Sequence, residues 1–150
     1  MADHDWIADL TRREWGAVSI VVHGVVYYPA ELAGFVAEVA GERAGLLSYV
    51  IDIESCEIVT LNSLVPGKGI GSLLIDAVCS KARAMGCQRL WLVTTNDNLN
   101  ALGFYQKRGF RLAGLRPGAV DESRKLKPEI TLVGENGIEI HDEIELEIHL

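Results

Sequence analysis

Between Leu61 and Leu73 the hydrophobic pattern of this 150-residue chain changes period, and the change falls on Pro66-Gly67-Lys68-Gly69-Ile70-Gly71-Ser72. Upstream, Ser55-Cys56-Glu57-Ile58-Val59-Thr60-Leu61 is β-branched and alternating, as a strand requires. Downstream, Ile70, Leu73, Leu74, Ala77, Val78, Ala82 and Met85 recur at helical spacing, with Asp76, Ser80, Lys81 and Arg83 on the opposite side and Gly86 as a C-cap. The glycine turn therefore joins a strand to the amino terminus of a long helix. Backbone N–H groups in the first turn of a helix have no intrahelical partner, and the helix dipole adds partial positive charge there. Glycines remove Cβ atoms and allow positive φ, so the chain can wrap an anion. A phosphate or pyrophosphate suits that place, assisted by Lys68 and Ser72; a merely tight strand-to-helix turn is the other reading.

Two familiar phosphate loops are excluded. A P-loop needs Gly-Lys followed by Ser or Thr, and Lys68 is followed by Gly69. The dinucleotide fingerprint needs a third glycine where Ser72 stands, inside a parallel βαβ unit. Here antiparallel signals come first: strands at 17–23, 35–40, 45–51 and 56–61, with a hairpin turn at Gly41-Glu42-Arg43, a polar turn at 52–55 and an irregular stretch at 25–32. A helix is expected over 5–15. After the long helix follow a doubly covered strand at 90–93 and a helix at 98–108 ended by Gly109. A short polar helix lies at 119–126, Asn136-Gly137 turns between 130–133 and 138–140, and Ile144, Leu146, Ile148 and Leu150 alternate with Glu143, Glu145, Glu147 and His149 as a half-exposed closing strand. The pattern is that of one mixed α/β domain spanning 1–150, with no repeats or linkers.

Composition narrows the class further. Hydrophobic residues make up 49% and charged residues 23%, the mix of a globular protein. A net charge of −7 lacks the basic footprint of a nucleic-acid binder and favours a cationic small molecule or basic peptide. No apolar run approaches the ~20 residues that cross a bilayer, and the start Met1-Ala2-Asp3-His4-Asp5 is no secretory signal. The cytoplasm is the expected location. Cys56, Cys79 and Cys87 show no CxxC spacing, so neither disulfides nor a metal site is expected.

The second helix decides among the phosphate binders. Asn98, Ala101, Phe104, Tyr105, Lys107 and Gly109-Phe110 follow N-x-x-A-x-x-[FL]-Y-x-[KR]-x-G-F. Together with Gly67-Lys68-Gly69-Ile70-Gly71, they make the chain resemble the GNAT superfamily of acetyl-CoA-dependent N-acetyltransferases over residues 17–112. The resemblance implies a mostly antiparallel sheet, flanked by helices, that splays into a V around CoA between the strands at 56–61 and 90–93. It places the pantetheine arm along Leu61, Asn62 and Ser63, and the pyrophosphate on the N–H groups of Gly67, Gly69, Ile70, Gly71 and Ser72. It gives Asn98 a cofactor contact and makes the Tyr105 phenol the acid beside the sulfur. Where the family carries Gln or Arg, this chain has Pro66, which has no N–H to donate; Lys68 or another basic residue must supply that charge.

Acetyl transfer needs a neutral amine, a polarised carbonyl and a proton for the leaving thiolate. A backbone N–H near Leu61 serves the carbonyl, and Glu57, sharing a strand face with Val59 and Leu61, is the candidate base, with Asp52 and Glu54 behind it. His23 reads as structural and the Glu143, Glu145, Glu147 series as the wet face of an edge strand. The acceptor, a small-molecule or peptide amine, is to be met by the unmatched segments 25–32 and 115–142. Family habit and the closing strand together suggest a homodimer through 115–150. The rival classes are a nucleotide-phosphate binder and a CoA-binding sensor without transferase activity.

Overall fold

A computed structural model describes residues 3–150; Met1 and Ala2, the start of the acidic amino-terminal stretch, lie outside the described residues. Helix α1 (His4–Trp15) buries Ile7, Leu10 and Thr11 and is followed by a two-stranded hairpin, β1 (Ile20–Val22) and β2 (Val25–Tyr27). The main sheet contains β3 (Ala33–Val39), β4 (Glu42–Asp52), β5 (Ser55–Ser63), β6 (Arg89–Thr95), β7 (Arg111–Arg116) and β8 (Glu143–His149), in the spatial order β3-β4-β5-β6-β8-β7. Helices α2 (Ile70–Ala84), α3 (Leu99–Lys107) and α4 (Ala119–Leu126) complete it. Only β5 and β6 run parallel, so the sheet is mostly antiparallel, as expected.

The strand expected at 17–23 is shorter, and 25–32 is not irregular throughout. His23 (φ 41°) and Gly24 (φ 78°) form a two-residue turn that folds Val25–Tyr27 back on Ile20–Val22. The hairpin turn between β3 and β4 is likewise Ala40 and Gly41, both at positive φ, one residue ahead of the expected position. At the other end, only a single bridge joins Val133 to Glu139 around the turn at Glu135–Gly137, so the expected hairpin there does not propagate.

The larger correction concerns β8. It is no edge strand: it lies between β6 and β7 and pairs antiparallel with both. Leu146 is fully buried in the core formed with Leu47, Val78 and Leu90 on the α2 side. The alternate residues are not a wet face. Glu143 is 3% exposed, and Glu145 and Glu147 are held by Arg89, with Arg116 also on Glu145. The true edge on that side is β7, along which Leu112 and Leu115 are exposed.

Two packing details place the cleft. Residues β5 and β6 pair from Ser55↔Arg89 to Ile58↔Leu92 and no further, while β5 stays bonded to β4 as far as Ser63 and β6 to β8 as far as Thr95. The sheet therefore splits into a V. The second detail is Gly45 on β4: a Cβ there would come within 2.6 Å of Ile70 Cγ2 and 2.9 Å of the Asn62 carbonyl oxygen. Its absence lets the first turn of α2 sit directly on the sheet beside the end of β5.

Candidate active site

The open half of the V is lined by two adjoining spaces. An outer cleft of about 590 Å³ runs over Leu61, Asn62 and Ser63, the glycine turn and α3. An inner cavity of about 260 Å³ lies between the diverging strands, under β1 and α4. Leu61, Asn98, Ala101 and Tyr105 line both. Beyond Ile58, the side of β5 that faces β6 carries peptide groups without a ladder partner, and such groups are obligatory hydrogen-bonding groups. The Asn62 side-chain oxygen is also buried without a partner.

The amino terminus of α2 opens onto the outer cleft. Gly69, its N-cap, is left-handed (φ 67°) and offers no side-chain cap, so the first-turn N–H groups are open to an anion. Gly67, Gly69, Ile70, Gly71 and Ser72 all line this cleft. Gly71 has a packing reason as well: a Cβ would meet the Phe104 ring at 2.8 Å, so its absence lets α3 close against α2.

Lys68 is exposed and is not part of the cleft wall. The cation there is Arg108, just past α3, which sequence reasoning did not single out. Its Nε and Nη2 donate to Ser72 Oγ at 3.0 and 2.6 Å, its Nη1 donates to the Phe104 carbonyl at 2.8 Å, and the guanidinium lies 3.4 Å from the Phe104 ring centroid. A basic residue within the Y-x-x-R run was visible in the sequence, but its reach back to Ser72 depends on the α2–α3 contact.

Asn98 caps α3, its side-chain oxygen accepting from the Ala101 N–H at 3.2 Å, and it faces both spaces. Tyr105 is 7% exposed and wedged edge-on between Phe104 and Phe110. Its hydroxyl donates to no group among the described residues. Burial raises its pKa well above the ordinary phenol value, with the nearby Arg108 charge acting weakly in the other direction. The phenol is therefore a proton donor held in its protonated form at the boundary of the two spaces.

Glu57 is 5% exposed, and both its oxygens are engaged. Tyr27 donates to Oε1 at 2.8 Å, and His23 Nε2 lies 2.7 Å from Oε2. His23 also lies against Trp91 with the rings tilted at 34° and centroids 5.4 Å apart, and donates its backbone N–H to Glu143 Oε2 at 3.0 Å. The hydrogen bond to Glu57 raises the His23 pKa, helped by the charges of Glu57 and Glu143 and opposed by burial. The carboxylate that is left with a free oxygen is Glu143: its Oε1 is buried without a partner, and the residue lines the inner cavity. Lys127 closes the same cavity, donating to the carbonyls of Trp15 and Ser19 at 3.1 and 2.7 Å, with its pKa lowered by burial.

Stability should report the His23–Glu57 pair. A histidine whose pKa is raised by folding contributes stability that is fully present below its ordinary value of 6.5 and is lost as pH rises through the raised value. Replacing Glu57 with Gln is expected to cost about 1.5–3 kcal/mol at about pH 6, by loss of charged hydrogen bonds, and progressively less as pH rises through the raised His23 value towards about pH 9. Urea denaturation at the two pH values checks this; equal losses at both would show that the pair does not titrate in the folded protein.

Residues 5–110 match the acetyltransferase (GNAT) family. Protein YdhI of Bacillus subtilis (strain 168) is 45% identical over 139 residues, which cover 92% of this chain and 87% of YdhI. The structure of a GNAT family acetyltransferase from Elizabethkingia anophelis with acetyl-CoA bound aligns with a TM-score of 0.67 at 30% identity, over 77% of this chain and 74% of that one. A Bacillus subtilis acetyltransferase in complex with CoA aligns with a TM-score of 0.65 at 27% identity, over 77% of this chain and 74% of that one. With residues 5–110 of its 150 matched, this chain belongs to the acetyltransferase (GNAT) family.

Proposed function

We propose that the protein transfers the acetyl group of acetyl-CoA to the amine of a small molecule or peptide, in the cytoplasm. The observation that carries this is the position of Tyr105: a protonated, otherwise unbonded phenol at the junction of an outer cleft suited to CoA and an inner cavity suited to an acceptor.

The residues present fit the cofactor. Uncapped N–H groups at Gly69, Ile70, Gly71 and Ser72, with Arg108 beside them, suit a pyrophosphate. The unpaired side of β5 at Leu61, Asn62 and Ser63, together with the orphaned Asn62 oxygen, suits the amide groups of a pantetheine arm. Gly67 and Asn98 line the same cleft, and Lys68, outside its wall, supplies only long-range charge. When bound, acetyl-CoA supplies an acetyl group activated as a thioester. A backbone N–H near Leu61 polarises its carbonyl. Glu143 Oε1 takes the proton that the acceptor must lose, and Tyr105 gives its proton to the departing sulfur as the C–S bond breaks and the C–N bond forms. In this arrangement Glu57 does not meet the acceptor directly; it holds His23, whose backbone in turn orients Glu143.

Thiol release from acetyl-CoA, followed across a panel of amines, amino acids, polyamines and peptides, tests this. Amine-dependent release with a matching acetylated product supports transfer; CoA binding without release in any case would leave a CoA-binding sensor as the better description.

A symmetric homodimer belongs to the same proposal, now through the outer edge of β7, where Leu112 and Leu115 are exposed. Sedimentation at micromolar concentration should give twice the chain mass of 16.4 kDa; a clean monomer throughout that range would exclude it.

A further inference from the structure

Among the described residues, three buried side-chain atoms have no hydrogen-bond partner: Asn62 Oδ1, Arg116 Nη1 and Glu143 Oε1. The first belongs to the outer cleft. The other two sit side by side in the fold, because Arg116 on β7 and Glu143 on β8 are register partners. Both residues line a third space of about 470 Å³, bounded by the His23-Gly24 turn and α4. Glu143 and Ser123 also line the inner cavity, so this side cavity adjoins the one that leads to Tyr105.

Neither atom bonds the other, and the second arm of each side chain is tied elsewhere. Arg116 Nη2 donates to Glu145, and Glu143 Oε2 accepts the His23 backbone N–H. What remains is one desolvated cationic donor and one desolvated carboxylate oxygen, on paired residues of neighbouring strands that line one space. Buried polar atoms left unpaired are costly, and in native proteins they mark a place where something else completes the bonding. A ligand matching both must carry an anion and a cation a few atoms apart.

We propose that the acceptor is a small amino-carboxylate zwitterion, an amino acid in its free form, with its carboxylate on Arg116 Nη1 and its amine against Glu143 Oε1. This rests on the acetyl-transfer reading and narrows it. The order of the two contacts follows from the cavities: Glu143 borders the inner cavity and Arg116 does not, so the amine faces Tyr105 and the carboxylate stays on the outer side. The ammonium gives one proton to Glu143, and its nitrogen bonds to the acetyl carbon as the C–S bond breaks. The departing sulfur takes the Tyr105 proton, the amine's second proton restores the Tyr105 phenol, and Glu143 releases the first to solvent. One N-acetyl product, one free thiol and one proton result. A peptide amino terminus lacks the neighbouring carboxylate and a polyamine lacks the anion, so both leave Arg116 Nη1 unpaired.

Matched pairs test this: each common amino acid against the amine that lacks its carboxylate, such as leucine against 3-methylbutylamine and phenylalanine against phenethylamine. Thiol release and product mass are measured with the wild type and with Arg116→Gln, and CoA affinity of both by calorimetry. For at least one pair the wild type should show kcat/KM about tenfold or more in favour of the amino acid, as expected for one charged hydrogen bond. In Arg116→Gln that preference should collapse towards unity, with CoA affinity retained. Plain amines used as well as or better than every amino acid by the wild type overturn the proposal, and this comparison stands even if the variant fails to fold. A preference that survives Arg116→Gln overturns it as well. Release with amines but no amino acid sinks the zwitterion alone, whereas no release with any amine sinks acetyl transfer and the zwitterion together.

Discussion

Replacing Tyr105 with Phe is expected to lower the acetyl-transfer rate by about 10²-fold or more while leaving CoA affinity unchanged. The substitution keeps the ring that packs edge-on against Phe104 and Phe110 at centroid distances of 5.2 and 5.3 Å, so the walls of both spaces persist. It removes only the hydroxyl. That hydroxyl has no structural bond to lose among the described residues, and burial holds it protonated across the working pH range. A group with this protonation can donate to a thiolate and cannot act as a base, so the loss should fall on kcat and should not be relieved at higher pH. Steady-state kinetics with one saturating acceptor, with calorimetry for CoA, separates the two effects. Equal rates in the two proteins would reduce Tyr105 to a packing residue.

The second large effect is expected at the glycine turn. Gly69→Asp should weaken CoA binding by about 10²-fold or more: two unit charges 4 Å apart repel by about 4 kcal/mol near a protein surface. The variant is informative because the fold should tolerate it. A Cβ at Gly69 meets nothing within 4 Å, and Asp is among the residues that accept a left-handed backbone such as φ 67°. A carboxylate at the N-cap of α2 also complements the helix dipole and caps N–H groups that are now open. Thermal stability should hold while affinity collapses. A folded variant with unaltered affinity would show that the pyrophosphate lies elsewhere.

The parts of the fold legible in the sequence were those set by local pattern. Helix α2 announced itself by apolar spacing between the glycine turn and Gly86, whereas Tyr105 and Asn98 were singled out by the family resemblance that their motif carries. What escaped depended on contacts distant in sequence. His23-Gly24 lacks the Asn-Gly or Asp-Gly signature, so the β1–β2 hairpin was missed, although it brings His23 to Glu57 and Glu143. The alternation from Glu143 to Leu150 defines a strand without saying which neighbours it takes. Its insertion between β6 and β7 turned an apparent wet face into a buried Glu143 beside the half-buried, arginine-paired Glu145 and Glu147. Arg108 escaped for a similar reason: Gly71 and Phe104 must pack first before its guanidinium reaches Ser72. Lys68, in the middle of the turn, is exposed and outside the cleft wall. Proximity along the chain was a good guide to the backbone that lines the outer cleft and a poor one to its side chains.

A crystal structure of the protein with CoA bound tests the assignment of both spaces at once. The pyrophosphate should lie on the N–H groups of Gly69, Ile70, Gly71 and Ser72, and the pantetheine arm should run along Leu61, Asn62 and Ser63. The sulfur should sit at the mouth of the inner cavity within hydrogen-bonding reach of the Tyr105 hydroxyl. Cofactor bound outside the opening between β5 and β6, or a sulfur out of reach of Tyr105 with the inner cavity closed to it, would contradict acetyl transfer at this site.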